Sequence, residues 1–270
     1  MKIKLNFIGL VILLFAGNSF GQDSLSHQTV FPKGISVDYG LGKYSVRDKY
    51  ISKNKYTGSI SSLNVTWSHF NKDRGVRLQF DYRSGSEIKS FNLSTNIQEF
   101  SFTGAYVFSN STVNLFSKQI YTYLGPSWDF YLHARNQNMA THMLATTLSY
   151  ASLVSLGLHS EFICPIRPRV QAEGSLGLSL LSLGGRLPDL ELNEAQILKL
   201  LPFYSAIKGD FHFLLRYRLM KQVSLGIGYQ FRLVWFRSSK EWETEDGWYG
   251  LSVANDNLSF RLTWNIGGAE

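Results

Sequence analysis

The sequence predicts an all-β protein, a single ten-stranded antiparallel up-and-down barrel that crosses a membrane with its strands. Three observations predict this fold. Apolar and polar residues alternate in ten separate segments, which is the period of side chains on the two faces of a strand. The connections between the segments are short and long in turn. The chain also begins with a stretch that has the length and flanks of a secretion signal.

Residues 1–21 are predicted to be a signal peptide. Lys2 and Lys4 precede an apolar run over 5–16, which is too short to span a bilayer because a spanning helix needs about 20 residues. Small residues follow at the positions that a signal peptidase reads, so the mature chain is expected to start at Gln22. No cysteine near this point could carry a lipid. We therefore expect an exported, unlipidated protein.

The rest of the chain is predicted to be one domain. No linker divides it, so we expect a short periplasmic segment over 22–33 and a barrel over 34–267. The formal net charge of +7, which falls to +5 without the two signal-peptide lysines, is scattered rather than clustered. This distribution argues against a nucleic-acid partner. The single cysteine, Cys164, excludes an internal disulfide framework.

The first five segments each show an apolar row with polar or small residues between its members. The third, VRLQFDYR over 76–83, alternates without a break. The rows of segments one, two, four and five are Ile35, Val37, Tyr39 and Leu41; Leu63, Val65 and Trp67; Phe100, Phe102, Tyr106 and Phe108; Leu124, Trp128, Phe130 and Leu132.

The last five segments repeat the pattern, and none has a helical period. Their rows are Leu148, Tyr150, Val154, Leu156 and Leu158; Val170, Ala172, Leu176, Leu178 and Leu180; Phe211, Phe213, Leu215, Tyr217 and Leu219; Val223, Leu225, Ile227, Tyr229, Phe231, Leu233 and Trp235; Leu258, Phe260, Leu262, Trp264 and Ile266.

The connections indicate which end of the barrel is which. Those after segments two, four, six and eight are short: NKDRG, SNSTVNLFSK, CPIRP and MKQ. Those after the odd segments run to about ten residues or more, and two, near 184–208 and 238–255, are far longer. Short periplasmic turns opposite long external loops are typical of bacterial outer-membrane barrels, as is an even strand count.

A soluble barrel with an apolar inside would also alternate. Three features favour a membrane barrel, in which the apolar rows face lipid. The rows are deep enough for strands that span a bilayer. The opposite face mixes glycine and serine with long ionic groups. Aromatic residues lie at the row ends, as an interfacial girdle requires: Trp67, Phe108, Trp128, Trp235 and Trp264.

In these features the chain resembles the bacterial outer-membrane β-barrel domain proteins, small unlipidated barrels. The junction Gly21-Gln22 and the strand YTYLGPSWDFYL are similar to members from bacteroidete-type envelopes. The resemblance covers about 34–267 and implies a place in the cell outer membrane of a Gram-negative bacterium. It also implies contact with outer-membrane lipid, lipopolysaccharide and the barrel-assembly machinery. Such chains often end on an aromatic residue, so the assembly signal here is either Trp264 or the last strand itself.

The polar rows predict an ionic network inside the barrel. Opposite charges in a low-dielectric lumen must pair, because an unpaired one costs several kcal/mol. The network either seals the lumen or lines a narrow pore, and the crowding of large side chains favours the sealed form. Its predicted members, with Asp38, are Arg77, Asp81, Glu99, Asp129, Glu161, Arg169, Glu173, Arg216, Arg218, Arg232 and Arg261.

An enzymatic site is disfavoured. Asp210 and His212 resemble the Asp-x-His pair of the omptin proteases, which are ten-stranded barrels, and would be the catalytic candidates if the chain were an enzyme. The second aspartate pair of that family is missing, and Asp81 alone is a poor substitute. His159 and Glu161 face inward, whereas alternation sends the serine between them to lipid. No metal-ligand spacing or phosphate-binding glycine loop occurs, so no metal or cofactor is expected.

The loops offer weaker signals. The first, RDKYISKNKY, gathers cations that could meet lipopolysaccharide phosphates. The fourth has the spacing of a short amphipathic helix around Ile197, Leu198 and Leu201, which could cover the barrel mouth or bind a partner. The fifth, KEWETEDGWYG, mixes aromatic residues with carboxylates.

We therefore expect a non-enzymatic outer-membrane barrel with a structural or surface-interaction role. The alternatives are a narrow pore for small solutes and an omptin-like surface protease. The sequence leaves open the ligands of the loops, conduction through the lumen and the oligomeric state.

Overall fold

The computed structural model is built from β-strands. It describes residues 31–48, 54–90, 93–115, 118–138, 147–187, 199–202, 205–236, 243–244, 247–248 and 250–266. Within these ranges every regular element is a strand. The same ranges contain no helix of the length and apolar character that a membrane crossing requires. The predicted signal peptide lies outside them.

Thirteen strands form in chain order. They are β1 Lys33–Asp48, β2 Lys55–Phe70, β3 Arg74–Ser90, β4 Leu93–Leu115, β5 Lys118–Asn138, β6 Thr147–Arg167, β7 Val170–Leu187, β8 Lys199–Pro202, β9 Ala206–Arg218, β10 Val223–Phe236, β11 Glu243–Thr244, β12 Gly247–Trp248 and β13 Leu251–Asn265.

Ten of these strands close into a barrel, as the sequence predicts. The strands pair antiparallel in the order β6, β5, β4, β3, β2, β1, β13, β10, β9 and β7, and β7 pairs back with β6. Because the ring is closed, it has no free sheet edge. The short β8 pairs with β7 beyond the start of β9, and β11 and β12 form a separate hairpin.

The connections at the two ends of the barrel alternate as predicted, but three at one end are shorter than expected. Residues 71–73, 116–117, 168–169 and 219–222 connect strands at what we call the turn end. At the opposite, loop end, about ten residues or more were expected in each connection, but only 49–54 separate β1 from β2, 91–92 separate β3 from β4 and 139–146 separate β5 from β6. The connections from β7 to β9 and from β10 to β13 are longer, as expected.

The outer wall carries the apolar rows. Where these rows run, the outward side chains are exposed hydrophobic residues, among them Ile35, Val37, Leu63, Val65, Leu78, Phe80, Phe102, Leu124, Phe130, Leu156, Leu158, Leu176, Phe211, Leu225, Ile227, Phe260 and Leu262. The inward residues between them are buried and polar, such as Asp38 on β1 and Asn64 on β2. This wall is inverted relative to a soluble barrel, whose interior is apolar.

Near the loop end the inward residues become apolar and the outward residues become polar. On β1 the inward residues after Gly42 are Tyr44 and Val46, both buried, whereas the outward Lys43 and Arg47 are exposed. The strand keeps its alternation throughout, so only the chemistry of each face changes. The upper strands therefore form a barrel with an apolar inside and a polar outside, as expected for a part that stands in water.

This upper part has its own hydrophobic core, which we call the loop-end core. It consists of Tyr44, Val46, Tyr56, Ile60, Ile88, Ile97, Tyr131, Ala151, Leu153, Leu201, Ala206, Val234, Phe236, Leu251 and Val253. Most of these residues were expected to lie in loops. A bulge between Gly85 and Ile88 turns Ile88 inward. Leu201, predicted to be part of a helix, lies in strand β8 instead, while Ile197 and Leu198 lie outside the described residues.

Candidate functional site

The lumen is the main candidate site, and three layers of side chains fill it. The loop-end core occupies one end. The other end holds a smaller apolar cluster, which we call the turn-end core and which contains Phe70, Ala105, Val107, Tyr121, Tyr123 and Ile163. Phe31, just before β1, packs against this cluster, and its ring meets that of Tyr121 edge-on at 5.1 Å between centroids.

Between the two cores lies an ionic layer of paired side chains. Its centre is a chain of alternating charges that crosses the barrel. Arg232 contacts Asp81 at 2.8 Å and Asp210 at 2.5 Å. Lys208 then joins Asp210 at 2.7 Å to Asp129 at 2.6 Å. Arg232 is 1% exposed, so these charges can remain buried only because each one has partners of opposite sign.

Further ion pairs brace other parts of the wall. Arg77 of β3 reaches Glu161 of β6 at 2.8 Å across the lumen. Arg216 pairs with Glu173 on the neighbouring strand β7 at 2.9 Å. Two more pairs are Arg261 with Asp38, which joins β13 to β1, and His159 with Glu161.

Glu99 forms the boundary between the ionic layer and the loop-end core. Its Oε1 accepts hydrogen bonds from the hydroxyls of Tyr44 and Tyr131, each at 2.5 Å. The same oxygen lies 3.2 Å from Nδ1 of His133. These four side chains are all buried. One carboxylate on β4 thus ties together strands β1, β4 and β5.

The ionic layer differs from the predicted network at four positions. Arg169 is exposed in the turn after β6 rather than inside the lumen. Arg218 lies at the barrel rim, where its Nη2 donates to the carbonyl of Pro168 at 2.8 Å. The prediction also missed two buried cations of this layer, Arg83 and Lys208, and a third buried cation, Arg135, which lies over the Tyr56 ring in the loop-end core. A signal existed for the two cations of the layer, because each stands two residues from a predicted inward residue on the same strand face.

The ionic layer surrounds a small cavity. Its volume is about 50 Å³, and Thr103, Asp129, His159, Lys208, Asp210 and His212 contribute to its lining. Two buried atoms beside it, Oδ2 of Asp129 and Nε2 of His212, have no hydrogen-bond partner among the described residues. A space of this size has room for a few water molecules.

Asp210 and His212 do face the lumen together, but the surroundings do not suit hydrolysis. Both carboxylate oxygens of Asp210 are occupied by Arg232 and Lys208. Across the lumen, Asp81 is held by Arg83 and Arg232 at 2.8 Å each. A water activated between two carboxylates needs their oxygens within hydrogen-bond reach, and here both oxygens of Asp210 and the Oδ2 atom of Asp81 contact cations. Within the described ranges, no group of three or more His, Cys, Asp or Glu side chains could hold a metal ion.

The predicted girdle residues do not all lie at row ends. Trp67, Phe108 and Trp264 lie towards the turn end and Trp235 towards the loop end. Trp128 instead lies in the middle of the wall, between Leu124 and Leu132 on its own row. It packs over Gly104, where an added Cβ would fall 2.3 Å from the indole Nε1. Trp128 therefore fills a gap in the wall.

Comparison with solved structures supports the same architecture. The outer membrane protease OmpT from Escherichia coli superposes with a TM-score of 0.51 at 9% identity, covering 89% of this chain and 100% of that one. The translocator domain of the autotransporter NalP from Neisseria meningitidis gives 0.45 at 10% identity, with coverages of 90% and 91%. Neisserial surface protein A gives 0.38 at 12% identity, with coverages of 88% and 100%.

The chain has the fold of an outer-membrane β-barrel protein. No family model and no curated protein matches it. The barrel neighbours suggest a location in the outer membrane. At such low identities the likeness concerns the fold alone, because this fold serves structural proteins, channels and proteases alike.

Proposed function

We propose that this protein is a non-enzymatic, non-conducting outer-membrane barrel whose role is structural or lies in contacts made by its external part. The observation that supports this proposal is the filling of the lumen at three levels. A solute would have to pass the loop-end core, the ionic layer and the turn-end core in series. The two cores are packed apolar clusters, which offer no partners to a hydrated ion.

Purified protein in a planar lipid bilayer is therefore expected to give no steady single-channel steps. The variant Phe31→Ala is the matched control, since it removes one side chain from the turn-end core and leaves the other two layers intact. This variant is also expected to give no single-channel steps. Reproducible steps from the parent protein would contradict the sealed lumen and favour a narrow pore.

The omptin-like alternative is disfavoured by the same side chains that resemble it. Asp210 contacts two cations, and Oδ2 of the facing Asp81 contacts two as well. These contacts support a structural role for Asp210, which links β9 to β10 through Arg232.

The external part supports a surface role. The loop-end core packs the inside of this part. Its outward face is therefore available for contacts with the medium or with the outer leaflet. Lys43, Arg47 and Lys55 lie together on the outer face of β1 and β2 above the apolar rows, and Arg47 and Lys55 are cross-strand partners. Cations just above the apolar rows can bind the phosphates of lipopolysaccharide. We therefore propose lipopolysaccharide and outer-membrane lipid as partners.

The proposal includes export by the predicted signal peptide and insertion by the barrel-assembly machinery. The last strand supports the second step, because β13 pairs with β1 over the whole of β13 to close the ring. Trp264 near its end is exposed on the wall and is the candidate assembly signal.

A further inference from the structure

The outer face of the barrel carries a cavity near the loop end, where strands β2, β1, β13 and β10 lie side by side. Its volume is about 550 Å³, whereas the cavity in the ionic layer measures about 50 Å³. Sites for small molecules have volumes of roughly 300–1,000 Å³. This space, which we call the outer groove, is therefore large enough to hold a small molecule.

Two rows of outward side chains line the outer groove, one row above the other. The lower row, in the order of the paired strands, is Ser59, Lys43, Asp256 and Phe231. The upper row is Thr57, Ser45 and Ala254. Because the upper row consists of small side chains, the wall is recessed there.

The backbone around the outer groove departs from a regular sheet. The pairing of β2 with β3 shifts register between Thr57 and Ser61. A Cβ added at Gly42 would clash with the carbonyl oxygen of Asp256, so β1 and β13 approach each other here more closely than another residue at position 42 would allow. Irregularities of this kind bend a strand and re-aim its side chains. The recess is therefore a feature of the strands themselves and does not depend on the rotamer of one side chain.

The outer groove combines charges, hydroxyls and an aromatic ring. Lys43 and Asp256 are cross-strand partners, and Oδ1 of Asp256 accepts a hydrogen bond from the backbone N–H of Lys43 at 3.3 Å. None of the ion pairs among the described residues involves the Lys43 ammonium. The hydroxyls of the serine and threonine side chains can donate and accept hydrogen bonds, and Phe231 is 39% exposed. A ligand that fits carries an anionic group, several hydroxyls and an apolar ring face.

The position of the outer groove adds a hydrocarbon tail to this ligand. Leu41 on β1 and Leu258 on β13 are the next outward residues towards the turn end after Lys43 and Asp256, and both are exposed. They belong to the apolar rows of the wall. Because the lining side chains and these two leucines all face outward, one amphiphile can contact both.

We propose that the outer groove binds a phosphorylated sugar of lipopolysaccharide, whose acyl chains lie along Leu41 and Leu258. This inference rests on the outer-membrane location and the lipopolysaccharide partner of the proposed function, and it adds the site and the part of the molecule that is recognised. The phosphate pairs with the ammonium of Lys43, the sugar hydroxyls bond to Asp256 and to the serine and threonine hydroxyls, and the ring packs against Phe231. A phospholipid head group supplies the phosphate but lacks the ring, so it fills the groove less completely.

The test measures binding to the purified protein in a neutral detergent by native mass spectrometry, with a rough-type lipopolysaccharide or phosphatidylglycerol added in equal amounts. The parent protein is expected to retain lipopolysaccharide in preference to phosphatidylglycerol. Ala254→Trp fills the recess without changing the charge and is expected to retain on the order of tenfold less lipopolysaccharide, because the indole takes the place of the sugar. Lys43→Gln is expected to retain about fivefold less, the contribution of one cation at an anionic lipid surface.

Two control variants make the same changes elsewhere on the barrel. Gln98→Trp adds an indole to the exposed outer face of β4, and Lys221→Gln removes a charge from the exposed turn between β9 and β10. Both are expected to retain lipopolysaccharide like the parent. Heat-dependent gel mobility checks that each variant is folded, and Ser45→Trp replaces Ala254→Trp if that variant does not fold.

The outcomes separate the outer groove from the proposed function. A parent protein that retains no lipopolysaccharide would contradict the partner in the proposed function and the groove with it. Retention by the parent together with unchanged retention by Ala254→Trp would overturn the groove alone. Equal losses in Ala254→Trp and Gln98→Trp, or equal retention of phosphatidylglycerol by the parent, would overturn it as well, because recognition would then not depend on the recess or on the sugar.

Discussion

Replacing Arg232 with methionine is expected to destabilise the barrel by about 3–5 kcal/mol, the cost of removing one partner from a buried ion pair. Arg232 is the cation that Asp81 and Asp210 share, and methionine leaves both carboxylates inside the lumen with one partner fewer. The measurement is the free energy of unfolding in urea, followed by tryptophan fluorescence in lipid vesicles.

Lys89→Gln provides the control for this effect. Lys89 also pairs with a carboxylate, Glu87 at 3.4 Å, but the two side chains are 64% and 75% exposed. Exposed pairs contribute about 0–1 kcal/mol, so this variant should unfold almost like the parent. Similar small losses in both variants would show that the ionic layer is hydrated and does not hold the barrel together.

The second large effect is expected for Leu78→Arg. Leu78 faces outward in the middle of the apolar row of β3 and is 37% exposed in the isolated chain, so in the membrane its side chain meets hydrocarbon. An arginine at the midplane of a barrel wall costs about 2–4 kcal/mol. The loss is measured as the free energy of unfolding from vesicles and as the fraction of protein that inserts.

Two controls separate the lipid-facing wall from other surfaces. Gln79→Arg changes the next residue, which faces the lumen beside the cavity, and should be much milder. Ser59→Arg keeps the outward direction but lies above the apolar rows on β2, where the surface is polar, and should be close to neutral. If all three variants insert equally well, the wall does not face hydrocarbon.

The ring of ten strands could be predicted because each strand carries a row long enough to show its period. In VRLQFDYR the outward residues Val76, Leu78, Phe80 and Tyr82 clearly separate the two faces. The pairing of the last strand with the first could also be predicted. In an up-and-down ring with an even number of strands, β13 lies antiparallel beside β1.

The loop-end core was missed although its signal was present. Tyr44 and Val46 continue the inward face of Asp38, and Tyr56 and Ile60 continue that of Asn64. The inward residues change from polar to apolar above the outward apolar rows, so the pattern of the wall does not extend to them and the sequence predicts loops there. The short connection at 91–92 was misjudged for the same reason.

The pairing within the ionic layer could not be predicted. Arg77 and Glu161 lie on β3 and β6, which are not neighbours in the ring, so their contact depends on strand tilt and barrel diameter. The contact between the β6–β7 turn and the end of β9 also depends on register, which places Gln171 opposite Arg216 and brings this turn beside Arg218. The bacteroidete-type origin suggested by the sequence stays a prediction.

The membrane assignment is tested most directly by a detergent phase-separation experiment on the mature protein, read on a gel before and after boiling. A closed wall solvated by lipid predicts recovery in the detergent phase and faster migration of the unboiled sample, because the intact barrel is compact. Recovery as a monomer in the aqueous phase, with mobility unaffected by boiling, would mean that the outward leucine, phenylalanine and tryptophan side chains are buried against each other, and would contradict the membrane assignment.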